Sequence, residues 1–221
     1  MIVSAPIVAA VGDSITYGYG LASPRTQSYP YVVGRKLHAL RVVDLGVPGT
    51  DAAYAIAREV PKIPQDATVV LIFEGTNEMW PVIDPRQRDA GSPAFDVHAH
   101  TFERLIEAVR RRAPHAHVVL INQRNYGYNG QQFFKGESLT AEARFSLAWD
   151  AVVNGYAAEP SSAVVDLRCD PQMYDASLFT DGIHPTAQGH ARIASDVEAA
   201  IAHPKVPPKS CAPFAPTIEE H

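Results

Sequence analysis

A three-layer α/β/α sandwich around a central parallel sheet of about five strands is the fold this sequence predicts, and three observations carry it. Five short apolar runs rich in Val, Ile and Leu recur along the chain. They are nearly continuous in apolar character, as strands covered on both faces are. Segments with helical periodicity separate them, and strand alternating with helix gives a parallel sheet flanked by helices on both sides.

The strand runs are "IVAAV" (7–11), "RVVDL" (41–45), "TVVLIFE" (68–74), "HVVLIN" (117–122) and "AVVDL" (163–167). After the first and second runs, segments 29–40 and 50–60 read as helices with weak patterns. After the third, Phe102, Leu105, Ile106 and Val109 fall at i, i+3, i+4 and i+7, the stripe of one buried helix face. After the fourth, Phe145, Ala148, Trp149 and Val152 repeat that spacing, with Tyr156 one turn on and Thr140 as the expected cap. Ile193, Val197 and Ile201 mark a last helix beyond Pro185. The arrangement is flavodoxin-like, with right-handed crossovers expected.

The chain has 221 residues, 46% of them hydrophobic, enough for one domain with a core of its own. Residues 1–202 read as that domain. Residues 203–221 hold five prolines and read as an irregular C-terminal tail. A net charge of −5 argues against nucleic acid or an anionic membrane as partner. No apolar run reaches the roughly 20 residues of a membrane span. The six residues before the first strand are too few for a signal peptide. A secreted or periplasmic chain with its leader removed would look the same, as would a cytoplasmic one. Cys169 and Cys211 read equally as a bridge pinning the tail or as two thiols.

In such sheets ligands sit beyond the carboxyl ends of the strands. Ser14 follows the first strand, in "VGDSITYGYG". A serine hydroxyl is a weak nucleophile and needs a neighbour to take its proton. His184, in "FTDGIHPTAQG", is the candidate base, and Asp181, three residues before it, can orient the imidazole. Each has a structural rival. Ser14 can cap a helix, and Asp181 and Asn77 can be turn residues. Asp13 reads as structural, satisfying loop amides. Gly12-Asp13-Ser14-Ile15-Thr16 is not the Gly-x-Ser-x-Gly elbow of the α/β-hydrolases. The pairs His98/His100 and His115/His117 are spaced for different helix faces, and no HExxH or cysteine pair supports zinc, so no metal and no cofactor is expected. Gly18, Gly20 and Ser23 leave the dinucleotide fingerprint incomplete.

Four stretches in order, "GDSITYGYG", "LGVPGTD", "GTNEM" and "DGIHPT", together resemble the conserved blocks of the SGNH (GDSL) hydrolases, over residues 7 to about 202. "SYPYVVGRKL" resembles that family's first helix. The resemblance implies a serine esterase with Ser14 as nucleophile, His184 as base and Asp181 orienting it. It implies an oxyanion hole made of the Ser14 amide, the Gly49 amide and the Asn77 side chain. Asp44 stands where the second block often has Asn, which leaves Gly46 open beside Gly49. Glu78 stands where the third commonly has Asp.

The substrate is expected from the loop after the fourth strand. Eight of the eleven residues 122–132 are Asn, Gln or Tyr. Tyr126 or Tyr128 is expected to stack on a sugar face; the alternative is a merely solvated loop, with the pocket lined by Trp80 and Phe179. Short acyl groups on a polar or carbohydrate alcohol follow from the stacking reading. A lipase or lysophospholipase of the same family is the competing enzyme, and a non-catalytic binding module on the same fold the competing class. A small-molecule or glycan ester is the expected partner.

Overall fold

The computed structural model describes residues 5–83, 95–128 and 134–204. Five strands form one sheet: β1 (Ile7–Gly12), β2 (Arg41–Asp44), β3 (Val69–Phe73), β4 (His117–Ile121) and β5 (Ser162–Val165). All neighbours pair in parallel, in the order β2-β1-β3-β4-β5. Every residue of β3 is buried, so its apolar run does not alternate.

The helices among the described residues are α1 (Ser14–Tyr17), α2 (Pro24–Gln27), α3 (Tyr29–Lys36), α4 (Ala52–Tyr54), α5 (Thr76–Ile83), α6 (Phe95–Arg112), α7 (Glu137–Asn154) and α8 (Ala187–Ala202). The chain moves from β1 outward to β2, then back across β1 to β3, β4 and β5. Right-handed crossovers then put the first connection on one face and the later ones on the other. Accordingly α3 packs with α8 against β1, β2, β4 and β5, while α6 packs against α4 and α7, and α5 against α7. The order reverses between β1 and β3, so a crevice is expected beyond their carboxyl ends.

The helical stripe of α6 is buried as its spacing requires, with Phe102, Leu105, Ile106 and Val109 all fully buried. On α7, Phe145 and Trp149 are buried, and their rings stack 5.5 Å apart. Trp149 Nε1 donates to the Glu74 carbonyl (3.1 Å), which satisfies its polar edge within the core. Thr140 is not the cap of α7. That helix begins at Glu137 behind Gly136, and Thr140 N already donates to the Gly136 carbonyl. The expected helix at 50–60 is also broken up. Only Ala52–Tyr54 is α-helical, followed by a π turn at Ala55–Glu59 and a 3₁₀ turn at Val60–Lys62. Pro61 has no N–H to continue the ladder, and its ring excludes the carbonyl four residues back. Of the expected tail, residues 205–221 lie outside the described residues, Cys211 among them. Cys169 is not a free thiol.

Candidate active site

Ser14 is the first residue of α1. The cap is Asp13, whose carboxylate accepts from Ile15 N (2.8 Å), so the serine hydroxyl is left for another partner. That partner is His184: Ser14 Oγ lies 2.9 Å from its Nε2. Ser14 is 8% exposed.

The turn after β5 explains why the Asp-x-x-His spacing works. Asp181 Oδ1 accepts the backbone N–H groups of Ile183 (2.9 Å) and His184 (2.8 Å). That folds the chain back on the carboxylate, as aspartates do in turns. Oδ2 is left facing His184 Nδ1 at 2.7 Å. Burial acts to raise the Asp181 carboxyl, but bonds from the His184 backbone, the His184 ring and the Ile183 backbone hold it below the usual range. An ionised carboxylate only accepts, so Nδ1 carries the ring proton and Nε2 turns its lone pair to the serine.

Across the crevice, Asn77 sits in the first turn of α5. Its Nδ2 donates to the Thr50 carbonyl (2.7 Å) and to Asp13 Oδ2 (3.3 Å). Asp13 is fully buried, and burial, opposed by the bond from Ile15 N, lifts its carboxyl to about 6. Gly46 and Gly49 play different parts. Gly46 N donates to Asp44 Oδ1 (3.1 Å), and a Cβ there would lie 2.6 Å from Tyr17 N and 2.9 Å from Thr16 Cβ. It is a packing position. Gly49, at φ +78°, has open space where a Cβ would stand. Its amide meets no acceptor among the described residues. Asp44 is pushed up to about 7 by burial, so near neutrality much of it is uncharged, as an asparagine would be.

Glu78 Oε1 accepts from Ala52 N (2.8 Å) and Oε2 from Gly75 N (3.0 Å), tying the start of α4 to the β3–α5 loop. Glu59 Oε2 accepts from Gly12 N (3.0 Å). Glu59 and Glu78 are raised, to about 8 and about 7, mainly by burial. Glu74, fully buried, is raised further by burial and by Glu78 beside it. Glu59 and Glu78 each accept from an amide remote along the chain, Gly12 and Ala52, a pairing that local spacing does not announce.

The loop after β4 departs from expectation. Asn122 to Tyr126 are all 0–1% exposed. Asn122 bonds Asp150, Asp166 Oδ1 (2.9 Å) and the Leu167 amide (2.7 Å). The Tyr126 hydroxyl bonds Thr76 Oγ1 (3.0 Å) and its amide bonds Glu142 Oε1 (2.8 Å). The expectation that Tyr126 stacks on a sugar is therefore overturned: its ring is inside. Phe179, 8% exposed, packs with Arg124 and Tyr126 around a small cavity. The Arg124 guanidinium lies 3.7 Å over its ring and donates to the Gly182 carbonyl, within the Asp181–His184 turn. Burial lowers Arg124 to about 10, which leaves it charged. Tyr128 ends a short 3₁₀ turn (Tyr126–Tyr128); its side chain and residues 129–133 lie outside those described. Trp80 is half-buried, stacked on Phe134 at 5.1 Å. Sequence reasoning passed over Arg124, the one cation in a run of polar amides, and Tyr19, whose ring lies 4.9 Å from that of His184.

Residues 10–192 match the model of the GDSL-like lipase/acylhydrolase family. The chain belongs to this family. It is a carboxylic ester hydrolase with the family's α/β fold. A phospholipase A1 from Streptomyces albidoflavus NA297 superposes with a TM-score of 0.69 at 17% identity, over 89% of this chain and 99% of that one. An extracellular lipase from Streptomyces rimosus gives 0.70 at 20%, over 89% and 100%. A catalytic mutant of an acetylxylan esterase from Geobacillus stearothermophilus gives 0.67 at 22%, over 89% and 94%. No curated protein matches the chain. Among the described residues no helix is long and apolar enough to cross a membrane, and no group of three or more His, Cys, Asp or Glu is placed to hold a metal ion.

Proposed function

We propose that this GDSL-family hydrolase cleaves its ester through an acyl-Ser14 intermediate. The observation that carries the reading is the relay from Ser14 Oγ through His184 to Asp181, at 2.9 and 2.7 Å. His184 takes the serine proton as Oγ attacks the carbonyl carbon, and returns it to the departing alcohol oxygen. Water then repeats the sequence on the acyl-enzyme. Three donors meet the oxygen that becomes negative. The first-turn amide of Ser14 has no intrahelical partner. The Gly49 amide is unspent. Asn77 keeps one N–H on Thr50, while the other, held only at 3.3 Å by Asp13, is free to turn to the oxyanion.

Short acyl groups on a polar or ring-bearing alcohol fit this mouth best. Among the exposed large hydrophobic side chains, Tyr19 stands beside His184, and it offers a ring tipped with a hydroxyl. A lipase is the second reading. It is favoured by Trp80, half-buried one helical turn beyond Asn77 and stacked on the buried Phe134.

A fluorophosphonate should label Ser14 once and abolish activity, and Ser14→Ala should be inactive. Labelling elsewhere, or an active Ser14→Ala enzyme, refutes the nucleophile. Across p-nitrophenyl esters set beside acetylated sugars, kcat/KM should peak at acetyl to butyryl. A steady rise past eight carbons, with no activity on acetylated sugars, establishes the lipase.

A further inference from the structure

We propose that Tyr19 is the platform for the alcohol half of the ester, and that the enzyme thereby selects alcohols presenting a flat, ring-shaped face. The inference rests on the acyl-Ser14 reading above and names the alcohol that site accepts.

The chemistry of the relay fixes where the alcohol must lie. As the tetrahedral adduct collapses, the Oγ–C bond is kept and the bond from carbon to the alcohol oxygen breaks. The electron pair leaves with that oxygen, and the proton held on His184 Nε2 passes to it. The oxygen must therefore come within about 2.6–3.2 Å of Nε2, and whatever it carries lies against the open side of the imidazole. The oxyanion points elsewhere, toward Asn77 and Gly49.

Tyr19 stands beside that imidazole. Its ring centroid is 4.9 Å from that of His184, tilted by 48°, and the residue is 53% exposed. Its position follows from the backbone. Gly18 and Gly20, at φ +82° and +83°, reverse the chain on each side of it in a region that other residues rarely enter. The Tyr19 amide donates to the Ser14 carbonyl (2.9 Å), so the platform is anchored to the nucleophile residue itself. A Cβ on Gly20 would lie 3.9 Å from Thr180 Oγ1. Thr180 in turn donates to the His184 carbonyl from its N (2.9 Å) and Oγ1 (3.1 Å). The tyrosine loop and the histidine turn thus form one wall.

Other tyrosines of the chain are used differently. Tyr29 and Tyr126 are buried with their hydroxyls on Thr16 and Thr76. Tyr17 lines a separate groove of about 720 Å³ with Asp44, Arg25 and Lys62. Only Tyr19 among them pairs an exposed ring with His184.

The test separates the alcohol from the acyl group. Phenyl acetate, an acetylated pyranoside and ethyl acetate share one acyl group, and kcat/KM reports acylation, the step in which the alcohol is present. Tyr19→Ala should lower kcat/KM for the two ring-bearing acetates about tenfold more than for ethyl acetate, the size of an aromatic stacking contact. Tyr19→Phe should restore it. Deacylation of the acetyl-enzyme, followed by stopped flow after the alcohol has gone, should proceed in Tyr19→Ala at the wild-type rate. An equal fall on all three esters, or slowed deacylation, overturns the proposal, since Tyr19 would then act on His184 and not on the alcohol. Fluorophosphonate labelling of the wild type distinguishes the two failures. If Ser14 is labelled and the Tyr19 variants show no alcohol dependence, the platform alone is wrong. If Ser14 is not labelled, both readings fall.

Discussion

Replacing Asp181 by Asn changes one atom, and its effect can be worked out from the contacts of the turn. In the wild type Oδ1 accepts two backbone N–H groups, from Ile183 and His184, and Oδ2 faces His184 Nδ1 at 2.7 Å. The asparagine has two orientations. With its nitrogen on the Oδ1 side, two backbone donors face another donor, and each unmade bond costs about 1–3 kcal/mol. With its nitrogen on the Oδ2 side, both backbone bonds survive, so this orientation prevails. The amide then donates to Nδ1, which must give up its proton. The ring proton moves to Nε2, 2.9 Å from Ser14 Oγ, and the lone pair that should take the serine proton is gone. The proposed base is held in the wrong tautomer. The expected loss in kcat is about 10⁴-fold, or about 5.5 kcal/mol of transition-state stabilisation. Thermal unfolding should change little, because the turn keeps its hydrogen bonds. Steady-state kinetics on a short-chain ester gives the first measurement. Nitrogen-15 spectra of the His184 ring give the second, with the proton on Nδ1 in the wild type and on Nε2 in the variant. A folded Asp181→Asn enzyme within tenfold of wild-type kcat, or one whose Nδ1 still carries the proton, would refute the reasoning.

Two further outcomes follow from the same geometry. Asn77→Ala should lower kcat by about 100-fold or more with little change in KM, because its N–H matters once the oxygen becomes negative; steady-state kinetics showing an effect on KM alone would make Asn77 a substrate contact. Glu59→Gln should flatten the dependence of stability on pH. The Glu59 carboxyl is raised from 4.5 to about 8 in the fold, so the native state binds its proton more tightly than the unfolded chain does. Its contribution is complete below about 4.5 and is lost as pH rises through 8, about 3 kcal/mol of it by pH 7. Urea unfolding from pH 5 to 8 should show the variant gaining on the wild type as pH rises, and parallel curves would refute this assignment.

The strands were legible because burial on both faces demands unbroken apolar runs, and β1 to β5 fall within one or two residues of those runs. Ser14, Asp181 and His184 were legible because their spacing is local to two turns at the sheet edge. What escaped was set by partners far along the chain. Average behaviour puts Asn, Gln and Arg outside, so residues 122–126 read as facing the substrate or the solvent. They lie inside because Asn122 finds Asp150 and Asp166, Arg124 finds Gly182, and Tyr126 finds Thr76 and Glu142. Nothing within ten residues announces those pairings. The breakup of the 50–60 helix was written in Pro61, and α5 was hidden because Pro81 lies within the helix.

The bond from Arg124 to the Gly182 carbonyl makes two distant stretches of chain a single unit of exchange. A chimera that imported only residues 168–184 from a relative would receive an aspartate and a histidine, yet it would seat them on a guanidinium placed for a different turn. The reverse graft, replacing 122–127 alone, would leave Phe179 without its covering cation and Gly182 without its donor. Recombination at this enzyme's sheet edge should therefore keep catalytic function when both stretches travel together and lose it when either travels alone. Libraries built by shuffling segments between family members would do best with their crossovers outside that pair.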